Sequence, residues 1–252
     1  MTDAHYRKAP IVEAVIDLRV RFGNEPTFGD LKRAAGTLKG GFPIQQDVHH
    51  VQMALKIGDI SKNKKAPSSN LGQRRIGVLM RPENGQRVLQ FQQGGFSYSH
   101  LAPYTDWATF RSEARKYWNV YRDLFKPAAV VRYAVRFINR IAIPQGRADG
   151  DSFISLYPNV PESLRNSVDR YFIQLQLPQS QVASNAQLII NSALADGDQG
   201  DGVSVMLDFD LFAPTDLAVD SEEVWERLDA FRVRKNEVFE ACITDHTRNL
   251  IA

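Results

Sequence analysis

The sequence predicts an α+β protein made of two similar β-α-β(3-4)-α halves, which share a largely antiparallel, curved sheet with long helices on one side. Three observations support this prediction. Several segments alternate between apolar and polar residues, as half-buried strands do. A long amphipathic helix closes each half, and the order of elements begins again near residue 127. We therefore divide the chain into residues 1–126 and 127–252, related by an internal duplication.

The first half opens with a long strand over residues 11–22. Its apolar face carries Val12, Ala14, Ile16, Leu18, Val20 and Phe22, and its polar face carries Glu13, Asp17, Arg19 and Arg21. A short helix is predicted over 27–38. Further strands are predicted over 48–57, 75–81, 87–92 and 96–101. A helix then spans about 106–125, with Thr105 or Asp106 as its N-cap and Pro127 after its end.

The second half repeats this pattern from residue 129. Alternation predicts a strand over 129–143, in which Asn139 falls on the apolar face and should hydrogen-bond to backbone. A short helix is predicted over 152–157, and strands over 170–177, 187–193 and 203–212. The closing helix is predicted to begin at Asp220, because Asp220 and Glu223 have the spacing of a capping box.

Composition narrows the class of protein. The 252 residues are 43% hydrophobic and 24% charged, which is ordinary for a globular protein. No apolar run reaches the length of a membrane span and the N-terminus lacks a signal-peptide core, so we expect a cytoplasmic protein with no membrane contact. Cys242 is the only cysteine, which excludes an intramolecular disulfide and a cysteine-based zinc site. No nucleotide-binding or nucleophile motif is present, and we expect no cofactor.

The net charge of +2 conceals an asymmetry between the halves. Residues 1–126 contain 20 Lys and Arg against 11 Asp and Glu, whereas residues 127–252 contain 11 against 18. One interpretation is that the halves attract each other, within one chain or across a homodimer. The other is that the basic half meets an acidic partner, either an acidic protein or nucleic acid.

Three segments resemble a sporadically distributed family of uncharacterised bacterial proteins across nearly the whole chain. They are Ala9-Pro-Ile-Val-Glu-Ala-Val-Ile-Asp-Leu-Arg19, Arg132-Tyr-Ala-Val-Arg-Phe-Ile-Asn-Arg-Ile-Ala-Ile-Pro144 and Phe239-Glu-Ala-Cys-Ile-Thr244. The resemblance implies one integrated architecture. It implies no reaction, so no catalytic residue is carried over. Patchy occurrence is typical of genes in bacterial defence or toxin–antitoxin loci, which gives a possible context only.

Eight basic residues are candidates for partner binding. Arg132, Arg136 and Arg140 share one strand face at four-residue spacing, where their guanidinium groups could grip phosphates or an acidic peptide. A loop near residues 58–75 adds Lys62, Lys64, Lys65, Arg74 and Arg75. The alternative for the arginine row is a structural role, in which it pairs with acidic residues of neighbouring strands and Asp17 lies near Arg136.

Asp208 and Asp210 form the one candidate metal site. They project from the same strand face and could bind a divalent ion, although pairing with the arginine row explains them at least as well. The leading hypothesis is a non-enzymatic binding or regulatory protein, whose helices cover one sheet face and whose other, polar face receives a partner. The alternative is a divalent-metal-dependent hydrolase or nuclease that uses Asp208 and Asp210, with Glu13 as a further candidate.

Overall fold

The computed structural model describes residues 6–50, 74–144, 152–161, 163, 168, 170–196 and 203–252. In chain order the elements are β1 (Ile11–Arg21), α1 (Phe28–Thr37), β2 (Ile44–His50), β3 (Arg74–Arg81), β4 (Arg87–Gln92), β5 (Gly95–Leu101), α2 (Trp107–Phe125), β6 (Ala129–Ile143), β7 (Phe172–Pro178), β8 (Gln187–Asp196), β9 (Val203–Leu217), α3 (Glu223–Cys242) and α4 (Asp245–Ile251). The predicted α+β class is confirmed.

The nine described strands belong to one antiparallel sheet with the order β2-β3-β4-β5-β1-β6-β9-β8-β7. Each half begins at the centre of the sheet, with β1 or β6. The next strand of each half, β2 or β7, lies at an edge of the sheet, and the following strands lie progressively nearer the centre. The last strand of each half therefore pairs with the first, β5 with β1 and β9 with β6. The two halves therefore meet where β1 pairs with β6, and each half sends its later strands away from that junction.

The central strands bury one face and leave the other open. Along β1 the residues Ala14, Ile16 and Leu18 have no exposed surface, while the alternate residues remain partly exposed. In β6 the buried side carries Tyr133, Val135, Phe137 and Ile141. Since successive side chains of a strand point to opposite faces, the charged residues of both strands share the face away from the core.

The helices cover the apolar face. Helix α2 buries Phe110, Ala114, Trp118 and Tyr121. Trp118 packs edge-on against Phe96 of β5, with ring centroids 5.8 Å apart. Helix α3 lies over β6 and β9, and its Phe231 contacts Tyr133 with ring centroids 4.9 Å apart. Burial of such aromatic side chains is the main source of stability for this layer.

Polar contacts connect the two long helices to each other. The indole Nε1 of Trp107 donates a hydrogen bond of 2.7 Å to Asp229 Oδ1, and Arg111 forms an ion pair with the same carboxylate. Arg115 pairs with Glu222 at the start of α3. These contacts join the closing helix of one half to the closing helix of the other, beside the β1–β6 junction.

The predicted start of α2 and the predicted role of Asn139 are confirmed. Helix α2 begins after Asp106, whose carboxylate accepts a hydrogen bond of 2.8 Å from the backbone of Thr109. Asn139 is buried and donates to the carbonyl oxygen of Leu207, as expected for a polar residue on the apolar face. Cys242 is buried in the core, and this burial raises the pKa of its thiol to about 11.

Other boundaries were wrong. The helix predicted over 152–157 does not form: residues 153–157 are not helical, and Ile154 makes a single β-bridge with Ile243 instead. Helix α3 starts after Glu222, which makes no side-chain capping bond, so the predicted Asp220 cap is incorrect. The second strand begins at Ile44 rather than at residue 48, and the predicted residues 51–57 lie outside the described residues. The short helix α4 was not predicted.

Within the described ranges, no helix is long and apolar enough to cross a bilayer.

One buried histidine makes the fold sensitive to pH. His100 on β5 is 1% exposed and packs against the rings of Tyr104 and Phe110. Burial, assisted by the nearby charge of Arg87, lowers the pKa of His100 below its ordinary value of about 6.5. The folded protein therefore resists a proton that the unfolded chain accepts.

We predict that the free energy of unfolding decreases as the pH falls below about 6.5, because the unfolded state then binds a proton at His100 that the folded state does not. The decrease should end below the lowered pKa, where both states are protonated. Urea unfolding of His100→Phe, which keeps the ring contacts, should show a weaker decrease over this window. Replacing the exposed His246 by Gln should leave the decrease unchanged; equal pH dependence of wild type and His100→Phe would contradict this assignment.

Candidate functional site

Polar side chains form a row across the open face of the sheet, on strands β4, β1, β6, β9, β8 and β7, and the row passes over Gly95 of β5. We call this row the polar ladder. Its members are Gln90, Gln92, Arg19, Asp17, Arg132, Asp210, Arg136, Asp208, Asn191 and Gln174. Hydrogen bonds and ion pairs connect neighbouring members at most steps, so the ladder is an ordered surface rather than a set of separate solvated side chains.

One part of the ladder is centred on Asp208. Arg136 binds Asp208 in a bidentate pair, with Nε 2.8 Å from Oδ1 and Nη2 2.7 Å from Oδ2. Asn191 Nδ2 donates to the same Oδ2 at 3.0 Å, and Gln174 Nε2 donates to Asn191 Oδ1 at 2.8 Å. Asp208 holds the guanidinium in one orientation, because two parallel hydrogen bonds restrict both its position and its plane.

The other part is centred on Asp17. Its Oδ1 accepts hydrogen bonds from Arg132 Nη1 at 2.8 Å and from Arg19 Nε at 3.0 Å. Arg19 Nη1 in turn donates to Gln92 Oε1 at 2.9 Å, and Gln92 Nε2 donates to Gln90 Oε1 at 3.0 Å. Arg132 also lies 3.6 Å from Asp210, which is opposite Arg136 of the first part in the pairing of β6 with β9.

The register of β1 and β6 corrects one predicted contact. Asp17 is opposite Ala134, and Arg136 is opposite Val15, so Asp17 pairs with Arg132 and not with Arg136. Arg136 instead finds its acid on β9. The expected pairing of the arginine row with neighbouring acids is therefore present, with different partners, because the strand register could not be derived from two aligned charge patterns.

The guanidinium groups lie nearer to solvent than the carboxylates that hold them. The side chain of Arg136 is 47% exposed and that of Asp208 is 11% exposed. Arg19 is 42% exposed, against 16% for Asp17. Arg132 stacks 4.5 Å from the ring centroid of Phe212, which restricts it further. The outer layer of the ladder consequently presents positive charge, above a layer of carboxylates.

Asp210 is the least well compensated acid of the ladder. Burial raises its pKa above the ordinary value, and the neighbouring charges of Asp208 and Asp17 act in the same direction. The charges of Arg132 and Arg136 oppose this shift without cancelling it. Asp210 therefore carries its charge at a cost to the folded state.

Two glycines leave room for the long side chains of the ladder. In the row of paired residues Arg19, Gly95, Gln92 and Gly77, each long polar side chain lies beside a glycine of the next strand. A Cβ atom at Gly95 would lie 2.4 Å from the carbonyl oxygen of Leu18 and 3.0 Å from Arg19 Cδ. At Gly77 it would lie 2.9 Å from Gln92 Cγ. Side chains at these positions would displace the ladder.

The remaining candidate residues are not gathered with the ladder. Arg140 lies on the same face of β6, next to Met206 of β9. Arg74 is exposed at the start of β3 and donates to Gln93. Arg75 pairs with Asp47 and lies 4.9 Å from the ring centroid of Phe28 on α1. Its side chain therefore lies on the side of the sheet that the helices cover. The other loop candidates, Lys62, Lys64 and Lys65, lie outside the described residues.

The geometry of Asp208 and Asp210 gives little room for a metal ion. Both oxygens of Asp208 already accept hydrogen bonds from Arg136, and one also accepts from Asn191. In the part of the chain that the structure describes, no three His, Cys, Asp or Glu residues are grouped to share an ion. The metal site stays a prediction without support from this arrangement.

In comparisons with known proteins, the chain matches no family profile and no curated protein. The site therefore has to be interpreted from its own chemistry. Sequence patterns alone did not reveal Asn191 and Gln174 as members of the ladder. Along β7, Gln174 and Gln176 alternate with apolar residues, which is the signal that could have identified Gln174; in β8, Asn191 and Ser192 are adjacent and give no such signal.

We predict opposite effects for two aspartates of the ladder. Asp17→Asn should lower the free energy of unfolding at pH 7 by about 1–2 kcal/mol, because Arg19 and Arg132 lose their shared carboxylate. Asp210→Asn should be neutral or stabilising at the same pH, because the raised pKa of Asp210 means that its charge opposes folding. Urea unfolding measures both, and a larger loss for Asp210→Asn would contradict this description.

We also predict that Gly95→Ala destabilises the fold by about 1–3 kcal/mol, since the new methyl group would overlap the backbone of β1. Gly36→Ala is the matched control: Gly36 lies in α1, an added methyl group there would meet nothing within 4 Å, and alanine favours helix by up to about 1 kcal/mol. The midpoints of thermal and urea unfolding should therefore fall for Gly95→Ala and rise for Gly36→Ala. Equal effects would refute the packing argument.

Proposed function

We propose that this protein is a non-enzymatic binding protein whose open sheet face receives the acidic surface of a protein partner. The observation that carries the proposal is the layering of the polar ladder. Its guanidinium groups lie outside and its carboxylates lie beneath them, so an approaching partner meets positive charge first. The partner class follows from this order of charges and from the donors that remain.

The arginines retain hydrogen-bond donors for a partner. Arg136 engages Asp208 through Nε and Nη2, so its Nη1 group takes no part in that pair. A guanidinium has five N–H donors in a planar fork, which suits the two oxygens of a carboxylate. Asp and Glu side chains of a partner could therefore bind to Arg136 and Arg19 without displacing the internal pairs.

The internal pairs also lower the cost of binding. A free arginine side chain loses conformational entropy when a partner fixes it. Asp208 already holds Arg136 by two hydrogen bonds, and Phe212 and Asp17 hold Arg132. Part of this cost is therefore met on folding, and the ladder presents its donors in defined positions.

The charge balance favours protein over nucleic acid. Affinity for nucleic acid depends mainly on the number of phosphates that basic residues neutralise. In the ladder the arginines Arg19, Arg132 and Arg136 are matched by Asp17, Asp208 and Asp210, which weakens the long-range field. Short-range recognition of individual carboxylates depends less on net charge.

The wider context also belongs to this proposal. A cytoplasmic location and membership of the patchily distributed bacterial family, with its defence or toxin–antitoxin setting, remain predictions from the sequence. The alternative of a hydrolase or nuclease also remains a prediction from the sequence. The contacts of Asp208 do not favour this alternative.

We predict that replacing Arg132 and Arg136 together by Gln reduces capture of a protein partner about tenfold or more, since each charge-assisted hydrogen bond contributes about 1.5–3 kcal/mol. The experiment compares immobilised wild-type and variant protein exposed to lysate of the source cells, with and without prior nuclease treatment. Proteins retained by the wild type are identified and quantified by mass spectrometry.

Arg33→Gln is the matched control, because Arg33 is an exposed arginine that pairs with Asp30 on helix α1, on the other side of the molecule. It should capture the same proteins as the wild type. Equal capture by the double variant would reject the open face as the site. Capture that disappears on nuclease treatment would show that nucleic acid is the partner and would overturn the choice of an acidic protein.

A further inference from the structure

The strand β7 is an edge of the sheet with an unusual composition. It pairs with β8 on one side, and among the described strands none pairs with its other side. Its sequence Phe-Ile-Gln-Leu-Gln-Leu-Pro contains no charged residue, although 24% of the chain is charged. Phe172 is 67% exposed and Leu177 is 40% exposed. Edge strands are usually protected by charges, so a long uncharged edge is a template for pairing with another chain.

The opposite edge of the sheet is protected in this way. Strand β2 carries Asp47, which forms ion pairs with Lys32 and Arg75. Gln45 of β2 also donates to the carbonyl oxygen of Ala35, which ties this edge to α1. The contrast between the two edges indicates that β7, and not β2, is suited to an intermolecular contact.

The direction of the backbone groups of β7 can be deduced from its pairing with β8. The backbone N–H of Gln179 donates to the carbonyl oxygen of Ala186, directly after the registered pair Pro178 and Gln187. Since the direction alternates along a strand, the odd-numbered residues of β7 turn their N–H and C=O groups toward β8. The even-numbered residues Gln174 and Gln176 turn theirs outward.

A second copy of β7 fits these outward groups in one full-length antiparallel register, centred on Leu175. Gln174 then lies opposite Gln176 of the second copy, and each glutamine can exchange backbone hydrogen bonds with the other. Pro178 lies opposite Phe172 of the second copy. Its missing N–H faces outward, where its carbonyl oxygen still accepts a bond from that Phe172.

The side chains are self-complementary in the same register. On the helical face Leu175 meets its own counterpart, and Ile173 meets Leu177 of the second copy, which buries apolar surface on both sides of the axis. On the open face the amides of Gln174 and Gln176 face each other. No pair of like charges is created, because the strand has no charge.

We propose that the protein forms a homodimer in which β7 of one copy pairs antiparallel with β7 of the other about a two-fold axis at Leu175. The sheet continues through both copies, and the polar ladder, which ends at Gln174, continues into the open face of the second copy. A two-fold axis makes the interface self-complementary and closes the assembly at two copies. This proposal is independent of the acidic partner.

The size of the contact determines how the dimer should behave. Seven paired residues span about 23 Å at the rise of a strand, a narrow contact compared with the roughly 1,200–2,000 Å² of a standard interface. The expected dimer therefore dissociates on dilution. Sedimentation velocity across a wide concentration series should show a monomer–dimer equilibrium for the wild type.

The test is an exchange of charges at two exposed positions. The double variant Gln174→Lys, Gln176→Lys places lysine opposite lysine, and the double variant Gln174→Glu, Gln176→Glu places glutamate opposite glutamate. Each alone should dimerise at least about tenfold more weakly than the wild type, because like charges directly opposite one another repel. An equal mixture of the two should recover dimers, since every opposed pair then has unlike charges.

Gln46→Lys is the control, because Gln46 is an exposed glutamine on the β2 edge. It should dimerise as the wild type does. A wild type that stays monomeric at the highest concentration would overturn the proposal, and so would lysine variants at β7 that leave dimerisation unchanged. Failure of the mixture to recover dimers, or loss of dimers in Gln46→Lys, would also overturn it.

Discussion

The antiparallel pairing of β1 with β6 is the constraint on which the rest of the structure depends. It joins the first strands of the two halves at the middle of the sheet, so both strands are flanked on each side and neither can place a charged residue at an edge. One face of each strand must meet the helices, and the other must accommodate all of its charges. The alternation of both strands satisfies this requirement, and it concentrates acids and arginines at the centre of the open face.

Charges held so closely have to be arranged in pairs. An unpaired carboxylate surrounded by neighbouring strands would be costly, and an unpaired arginine would be poorly ordered. The sheet places the shorter aspartates low and the longer arginines above them, since a guanidinium at the end of a flexible stem can reach over a neighbouring strand. Glycines on β5 and β3 leave space for Arg19 and Gln92 to lie along the sheet. The same geometry that stabilises the charges also presents the guanidinium groups to solvent.

The two halves share an order of strands but finish differently. The first half adds α1 and β2, and Asp47 of β2 forms ion pairs with Lys32 of α1 and Arg75 of β3, which protect that edge of the sheet. The second half ends at β7, where the described chain contributes no equivalent strand beyond it. The shared order of strands therefore accounts for the centre of the sheet, whereas the different ends of the two series account for the difference in charge and in exposed apolar surface between the two edges.

The amino-acid sequence by itself determined the class of fold, the long strands and the faces of the main helices. Period-two alternation in β1 and β6 and the helical stripe of α2 are local patterns, and each of these elements forms where its pattern predicts it. It also indicated that Arg132 and Arg136 lie on the open face and have acidic partners nearby. The sequence-based prediction failed at residues 152–157 and at Asp220, where short stretches carry little periodicity and neighbouring segments decide the conformation.

Only the tertiary structure decided which acid each arginine meets. A shift of strand register moves every cross-strand pair, and no local property of β1 or β6 determines the register. Asp17 consequently binds Arg132 instead of Arg136, and Asn191 and Gln174 join the ladder although they are distant in sequence from both. The exposure of β7 is of the same kind, because an edge is a property of the order of strands in the whole sheet and not of the strand itself.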